Sequence, residues 1–86
     1  MAFDRLAHQI DTRLPKSPSA AETVVEPESE DEALVIVDLH YRFGLRTEDV
    51  RAILEDLGFV VTGFSQRTQG AHSVWAVSVI LPEDYR

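Results

Sequence analysis

Histidine is the residue type in this chain best suited to acid–base or metal chemistry, and it occurs as His8, His40 and His72. These residues are far apart and form no His-x-x-x-His pair, so a metal site would require the fold to bring distant residues together. Cysteine is absent, which excludes disulfides, thiol catalysis and cysteine-based metal sites. No Gly-x-Ser-x-Gly elbow is present, and the glycines are too scattered to cradle phosphates. We therefore predict a non-enzymatic protein with no metal site and no cofactor.

Charge narrows the classes of partner. The 86 residues include 15 acidic and 8 basic side chains, which gives a net charge of −7. Because a nucleic-acid-binding surface needs a net basic footprint, we expect no direct binding to nucleic acid. One alternative is that the acidic residues imitate nucleic-acid phosphates, so that the protein inhibits an enzyme acting on nucleic acid.

Hydropathy gives no sign of a membrane segment. No apolar stretch approaches the ~18–20 residues that a membrane span needs. The N-terminus, Met1-Ala2-Phe3-Asp4-Arg5, lacks the charged-then-apolar order of a signal peptide. We expect no membrane partner, and a cytoplasmic or virion-associated location.

Residues 1–14 are predicted to form an amphipathic helix that ends before Pro15. Its apolar residues recur at steps of three and four: Phe3, Leu6, Ala7, Ile10 and Leu14. An isolated helix this short is marginal in water, so its apolar stripe must lie on the rest of the protein or on a neighbour. We expect docking on a neighbour and assign Phe3, Leu6 and Ile10 to an interaction surface.

Residues 15–32 are predicted to be an acidic linker. The segment holds three of the four prolines and a dense acidic run at 26–32. Few apolar residues and a block of like charges favour an extended, solvated chain. Within it, Thr23-Val24-Val25 has the composition of a short edge strand.

Residues 33–86 are predicted to be a small α+β domain. Alternating apolar residues indicate a first strand over 33–43, with Val35, Val37, Leu39, Tyr41 and Phe43 on one face. Thr47 is a residue type that favours the N-cap position of a helix. Gly58 is predicted to end that helix. A second strand over 59–66 and a third over 73–81 follow, joined by a turn at Gln69-Gly70.

The order strand, helix, strand, strand predicts a three-stranded, mostly antiparallel sheet of split β-α-β type, which is half of a ferredoxin-like fold. The third strand is apolar on both faces, which favours a central position with both faces covered. The crossover helix would cover one face. The N-terminal helix or another subunit would cover the other.

The segment 33–81 resembles an ACT-type regulatory domain. The resemblance rests on a hydrophobic strand, a loop glycine at Gly44, a helix ending at Leu57-Gly58-Phe59, and a final hairpin that includes 74–81. The loop reads Phe43-Gly44 in place of the family's Pro-Gly, and the family's second helix and fourth strand are absent. The resemblance implies a tendency to pair and, as an alternative function, sensing of a small molecule near Gly44.

The predicted topology collects basic residues at one pole of the domain. The end of the first strand, the helix N-terminus and the second turn would place Arg42, Arg46 and Arg67 together with two histidines. Arginine presents a planar fork suited to carboxylates, so this pole is expected to dock an acidic protein surface, such as the opposite pole of a sister subunit. Binding of an anion beside the helix N-terminus is the alternative. We add Trp75 to the predicted interaction residues, as an aromatic of the core or of a subunit interface.

These features lead to one principal expectation of function. We predict a non-enzymatic protein–protein interaction or assembly protein that forms a homo-oligomer. A structural component of a larger repeated assembly, such as a virus particle, suits this anatomy. The ACT-like sensor and the nucleic-acid-mimicking inhibitor are the alternatives.

Overall fold

The computed structural model describes residues 2–15, 17–40, 42 and 44–85, with only the backbone of Ala2 and Gln69. The elements in chain order are α1 (Ala2–Arg13), β1 (Val24–Pro27), β2 (Glu32–Asp38), α2 (Thr47–Asp56), β3 (Val60–Gln69), β4 (His72–Ile80) and a 3-10 turn (Glu83–Tyr85). The fold class is α+β with an N-terminal helix, as predicted.

The strands form one antiparallel sheet in the order β1-β2-β4-β3. The central position predicted for β4 is confirmed, and β2 and β3 therefore run parallel to each other on either side of it. The prediction of three strands is wrong, because the segment 24–27 of the presumed linker adds an edge strand to β2. The β-branched pair Val24-Val25 favours this strand, and Val25 is buried in the core.

The first strand of the predicted domain is shorter than expected. β2 ends at Asp38, whose carboxylate accepts a hydrogen bond of 2.8 Å from the His40 backbone N–H. An Asp side chain that bonds the backbone two residues on favours a turn over a continued strand. Tyr41 and Phe43, which were expected on the apolar face of this strand, lie outside the described residues.

Helix α2 is capped at both ends. Arg46, not Thr47, occupies the N-cap position, and the Asp49 carboxylate accepts a hydrogen bond from the Arg46 backbone N–H. At the other end Gly58 has φ +96°, and the N–H groups of Gly58 and Phe59 donate to the carbonyls of Glu55 and Leu54. This is a Schellman cap, which needs a residue with positive φ and so favours the predicted glycine.

Both helices pack on the same face of the sheet. Val25, Val35, Val77 and Phe64 are paired across the strands and so point to one side of the sheet. That row contacts the core cluster, which includes these buried residues of α1 and α2: Leu6, Ile10, Val50 and Leu54. Helix α1 lies against β1, and α2 lies against β3.

The position of α1 corrects the expectation that it docks on a neighbour or covers the opposite face. Its apolar stripe is buried within its own chain, with Leu6 1% exposed and Ile10 fully buried. The physical reason is the extra strand, since β1 widens the sheet enough to accept a second helix beside α2. An ion pair between Arg13 and Asp56 also joins the exposed surfaces of the two helices.

A buried ion pair holds α1 in place. Arg42 donates to the Asp11 carboxylate at 2.7 Å and to the Ala21 carbonyl at 2.8 Å. The same carboxylate accepts from the backbone N–H and the hydroxyl of Thr23, each at 3.0 Å. The network links the loop after β2 to α1 and to the entry of β1, which explains why the segment 21–27 is folded although its composition indicates a linker.

Candidate interaction surface

The sheet has a second face that carries neither helix. It consists of the residues that alternate with the core positions along each strand. We call it the open face, and it comprises Val24, Glu26, Glu32, Leu34, Ile36, Asp38, Val60, Gly63, Ser65, Arg67, Val74, Ala76, Ser78 and Ile80. Among the residues that the structure describes, Val24 and Val60 are the large hydrophobic side chains that remain most exposed, at 48% and 53%.

The centre of the open face is apolar. Antiparallel sheets with one covered face usually present polar side chains to water on the other. Here the central strands present Leu34, Ile36 and Ile80, all half-buried, together with Val74 and Ala76. Val74 and Ala76 are only 3% and 1% exposed, because larger neighbours on the flanking strands shield them. The centre of the open face therefore has the apolar composition of a protein core, although no helix packs on it.

The open face is uneven in height. The large side chains Leu34 and Ile36 of β2 are paired directly with the small side chains Ser78 and Ala76 of β4. These in turn are paired with Gly63 and Ser65 of β3. The result is a ridge of Leu34 and Ile36 on β2 beside a short furrow in the middle of β4 and β3. Val60 and Ile80 bound the furrow at one end, and Arg67 and Val74 bound it at the other.

A groove crosses this face diagonally. It has a volume of about 220 Å³ and is lined by Glu26, Ile36, Arg67, Thr68 and Val74. Its apolar middle lies between a carboxylate on β1 and a guanidinium on β3. Both edges of the open face are thus charged, with opposite signs on the two outer strands.

A polar cluster closes one end of the open face. The Asp38 carboxylate contacts His72 Nδ1 at 2.9 Å, and the rings of His72 and His40 stack with centroids 4.1 Å apart. Burial raises the pKa of Asp38, but hydrogen bonds from His72 and from the His40 backbone N–H, together with the histidine charges, outweigh it and leave the pKa below its usual range. The cluster ties the end of β2 to the start of β4.

The sequence-predicted interaction residues occupy different environments. Leu6 and Ile10 are core residues of their own chain, and Phe3 is half-buried against that core. Trp75 points to the covered face, where it packs edge-to-face on Phe64 with centroids 6.4 Å apart. These apolar positions are therefore engaged within the chain.

The predicted arginines do not converge as a group. Arg42 is 3% exposed and paired with Asp11, so it is not available at the surface. Arg46 is exposed at the start of α2, and Arg67 is exposed on the open face of β3. The predicted pole corresponds to the structure in one respect, since His40 and His72 do meet at that end of the sheet.

The sequence predicted that both sides of β4 are covered and left open whether the N-terminal helix or another subunit covers the second side. The signal for the open face was present in the strands. Leu34, Ile36 and Ile80 alternate with core positions where a solvated face would carry polar residues. The positions of the two helices decide which side stays open, and those depend on β1 and on the Asp11–Arg42 pair.

Other site types are not evident in the described part of the chain. Within residues 2–15, 17–40, 42 and 44–85, no group of three or more His, Asp or Glu side chains is arranged to hold a metal ion. No described helix is long and apolar enough to cross a membrane. Comparisons of the chain with protein-family models, with curated proteins and with solved structures found no match.

Proposed function

We propose that this chain is a non-enzymatic interaction or assembly protein that binds another protein through the open face of its sheet. The observation that carries the proposal is the apolar centre of that face, formed by Leu34, Ile36 and Ile80, with no packing layer above it among the described residues. Contiguous apolar surface of this kind on a small domain is typical of a protein–protein contact.

The arrangement of polarity supports a protein partner. Charged side chains lie at the rim, with Glu26 on one outer strand and Arg67 on the other, while the middle is apolar. An apolar centre with a polar rim is the usual anatomy of a protein interface. An apolar face that stays exposed to water also favours aggregation. A partner that covers the face would prevent this.

The area of the open face indicates a weak to moderate complex. Four strands about 4.8 Å apart and rows about 7 Å apart give, with side-chain margins, on the order of 500 Å² per partner. A total of about 1,000 Å² lies at the lower limit of specific interfaces. An interface of this area is large enough for specific binding, but it predicts a low affinity.

The experiment that tests the proposal is photo-crosslinking in the cells that naturally produce the protein. A photoreactive phenylalanine analogue would replace Ile36 on the open face or, as the control, Ala52 on the exposed surface of α2. We expect discrete adducts from position 36 and none of the same size from position 52. Absence of any adduct specific to position 36 would contradict the proposal.

We propose further that the unit β2-α2-β3-β4 is half of a ferredoxin-like fold, with β1 and α1 added at the N-terminal side. The position of β4 between β2 and β3 supports this assignment. Assembly through the open face would then supply the second layer that the sheet lacks.

A further inference from the structure

We infer that the partner covering the open face is the open face of a second copy of this chain, related by a two-fold axis parallel to the strands. This inference rests on the proposed function, because it names the partner of the same surface. Its basis is that the open face is complementary to itself in shape and in the sign of its edge charges.

Shape complementarity follows from the pairing of large and small residues. A two-fold axis along the strands, midway between β2 and β4, places β2 of each copy over β4 of the other. Ile36 then faces Ala76, and Leu34 faces Ser78, each across the interface. The ridge of one copy fills the furrow of the other, as close packing requires. The interface is isologous, so every such contact occurs twice.

The alternative direction of the two-fold axis, across the strands, would bring like surfaces of the two copies together. An axis across the strands would place β2 over β2, so that the ridge of Leu34 and Ile36 meets an identical ridge. It would also place each β1 edge, with Glu26, against the same acidic edge of the other copy. Both the steric clash and the like-charge contact disfavour that arrangement.

Edge charges favour the axis along the strands. In that arrangement the β1 edge of one copy lies over the β3 edge of the other. The charged open-face residue of β1 is Glu26 and that of β3 is Arg67. The two edges that face each other therefore carry opposite charge. Glu26 lies at the level of Gly63, two open-face rows from Arg67, so these charges orient the two copies without forming a direct ion pair.

Area and net charge together predict a weak dimer. About 1,000 Å² of total buried surface is the lower limit for a specific complex, and each copy carries a net charge of −7. We expect a dissociation constant on the order of 10 μM at moderate salt, consistent with such an interface. Because the two copies repel each other overall, added salt should strengthen the dimer by screening that repulsion.

Sedimentation equilibrium of the full chain from 1 to 300 μM (about 10-fold below to 30-fold above the expected dissociation constant) is the first test. Wild type is expected to fit a monomer–dimer equilibrium, and Ile36→Glu to weaken the dimer by at least about 100-fold, since it buries an unpaired charge. Ala52→Glu adds the same charge on α2, away from the open face, and should change the dissociation constant less than about threefold. A wild type that stays monomeric, or that forms larger rings or chains, overturns the inference.

A reciprocal swap tests the facing residues themselves. Ile36→Ala and Ala76→Ile should each weaken the dimer, one by emptying the furrow and the other by filling it. The double variant exchanges ridge and furrow at the same level and should recover most of the wild-type affinity. If the loss of dimer affinity in the double variant equals the sum of the losses in the two single variants, Ile36 does not face Ala76. Circular dichroism of each variant confirms that it is folded.

Cross-linking tests the axis. The chain has no cysteine, so Val24→Cys and Ser65→Cys each introduce one thiol at the same level of the face, on opposite outer strands. Packed sheets lie about 10 Å apart, within reach of a short bifunctional maleimide. The axis along the strands predicts cross-linking when the two variants are mixed and little within either alone. Cross-linking of Val24→Cys to itself would overturn this geometry.

The outcomes separate this inference from the proposed function. A monomeric wild type whose position 36 cross-links in cells to a different protein would overturn the second copy and leave the function intact. A monomer with no adduct specific to position 36 would overturn both. A dimer that Ile36→Glu does not dissociate would contradict the second copy at this face.

Discussion

The two faces of the sheet are made by the same strands, yet they have different roles. On the covered face Val25, Val35 and Val77 are almost completely buried beneath the helices. On the open face Ile36 and Leu34, from the same strand as Val35, remain half-exposed, and Val24 is 48% exposed. One half of the alternating pattern thus forms the core of the single chain, and the other half is left for association.

This difference shows that hydrophobicity alone does not define the core of a small domain. Both faces carry large apolar side chains on β2, but only one has a second layer. The contribution of an apolar side chain to folding therefore depends on what the helices cover. Substitutions of the same kind on the two faces should separate folding from association.

The largest effect is expected from placing a charge beneath the helices. Ile10 is fully buried in the core, so Ile10→Asp removes its packing and buries a carboxylate without a partner. The loss should exceed about 4 kcal/mol, enough to unfold a domain of this size at 25 °C. Urea denaturation followed by circular dichroism measures it.

Ile36→Asp is the matched variant on the open face. It should lower the free energy of unfolding of the monomer by less than about 1 kcal/mol, since its carboxylate reaches water. The sequence analysis expected the α1 stripe to dock on a neighbour, and in that case a charge at Ile10 would instead disrupt assembly more than folding. Equal losses from Ile10→Asp and Ile36→Asp would contradict the distinction between the faces.

The second effect concerns the attachment of α1. Arg42→Met removes the buried guanidinium that contacts Asp11, and breaking a buried ion pair in this way costs about 3–5 kcal/mol. The double change Asp11→Leu with Arg42→Met removes both charges and should cost less than Arg42→Met alone. Chemical denaturation of the three proteins gives the comparison. If the double variant is less stable than Arg42→Met, the loss in the single variant does not come from leaving a buried carboxylate without Arg42.

The fold was predictable where local chemistry decides it. Gly58 ends α2 with the positive φ that its position indicated, and Val35 and Val37, predicted to share one apolar face, lie together on the core face of β2. These features depend on a few neighbouring residues. The central place of β4 followed from its apolar pattern in the same way.

The remaining features depend on contacts between distant residues. Arg42 was expected at the surface of the basic pole, but it bonds Asp11, which is 31 residues away. That pair and the Thr23 hydrogen bonds convert part of an acidic segment into structure and hold α1 on its own sheet. Sequence spacing does not encode such pairings. The segment 23–25 was recognised as a possible edge strand, but its place in the main sheet and the position of α1 beside α2 were not predicted.

A smaller effect is expected at the end of α2. Gly58→Ala places a Cβ at φ +96° and 3.4 Å from Pro82, and the left-handed conformation alone costs about 1–2 kcal/mol. Gly63, on the open face, has no atom within 4 Å of an added Cβ, so Gly63→Ala should change stability by less than about 0.5 kcal/mol. Thermal and urea denaturation of the two variants measure the contrast. Similar losses at both glycines would mean that the open face is more crowded than the structure shows.

The smallest effect should come from the polar end of the open face, and it should depend on pH. Because the pKa of Asp38 is lowered in the folded protein, the unfolded chain binds more protons at this residue. Its contribution is therefore fully present above the ordinary carboxyl pKa of about 3.9 and disappears as the pH falls through the folded value.

Asp38→Asn should lower the free energy of unfolding by about 1 kcal/mol at pH 7, the usual value of such a hydrogen-bonded contact. Asparagine keeps the shape of the side chain but not its charge, so the loss reports on the contact with His72 and the His40 N–H. At about pH 3 the difference between the two proteins should shrink, because the wild-type carboxyl then approaches neutrality as well. Urea denaturation at both pH values measures the difference directly, and the other carboxylates cancel because both proteins contain them. A loss of equal size at both pH values would show that shape, and not the charge of Asp38, joins β2 to β4 at this end of the open face.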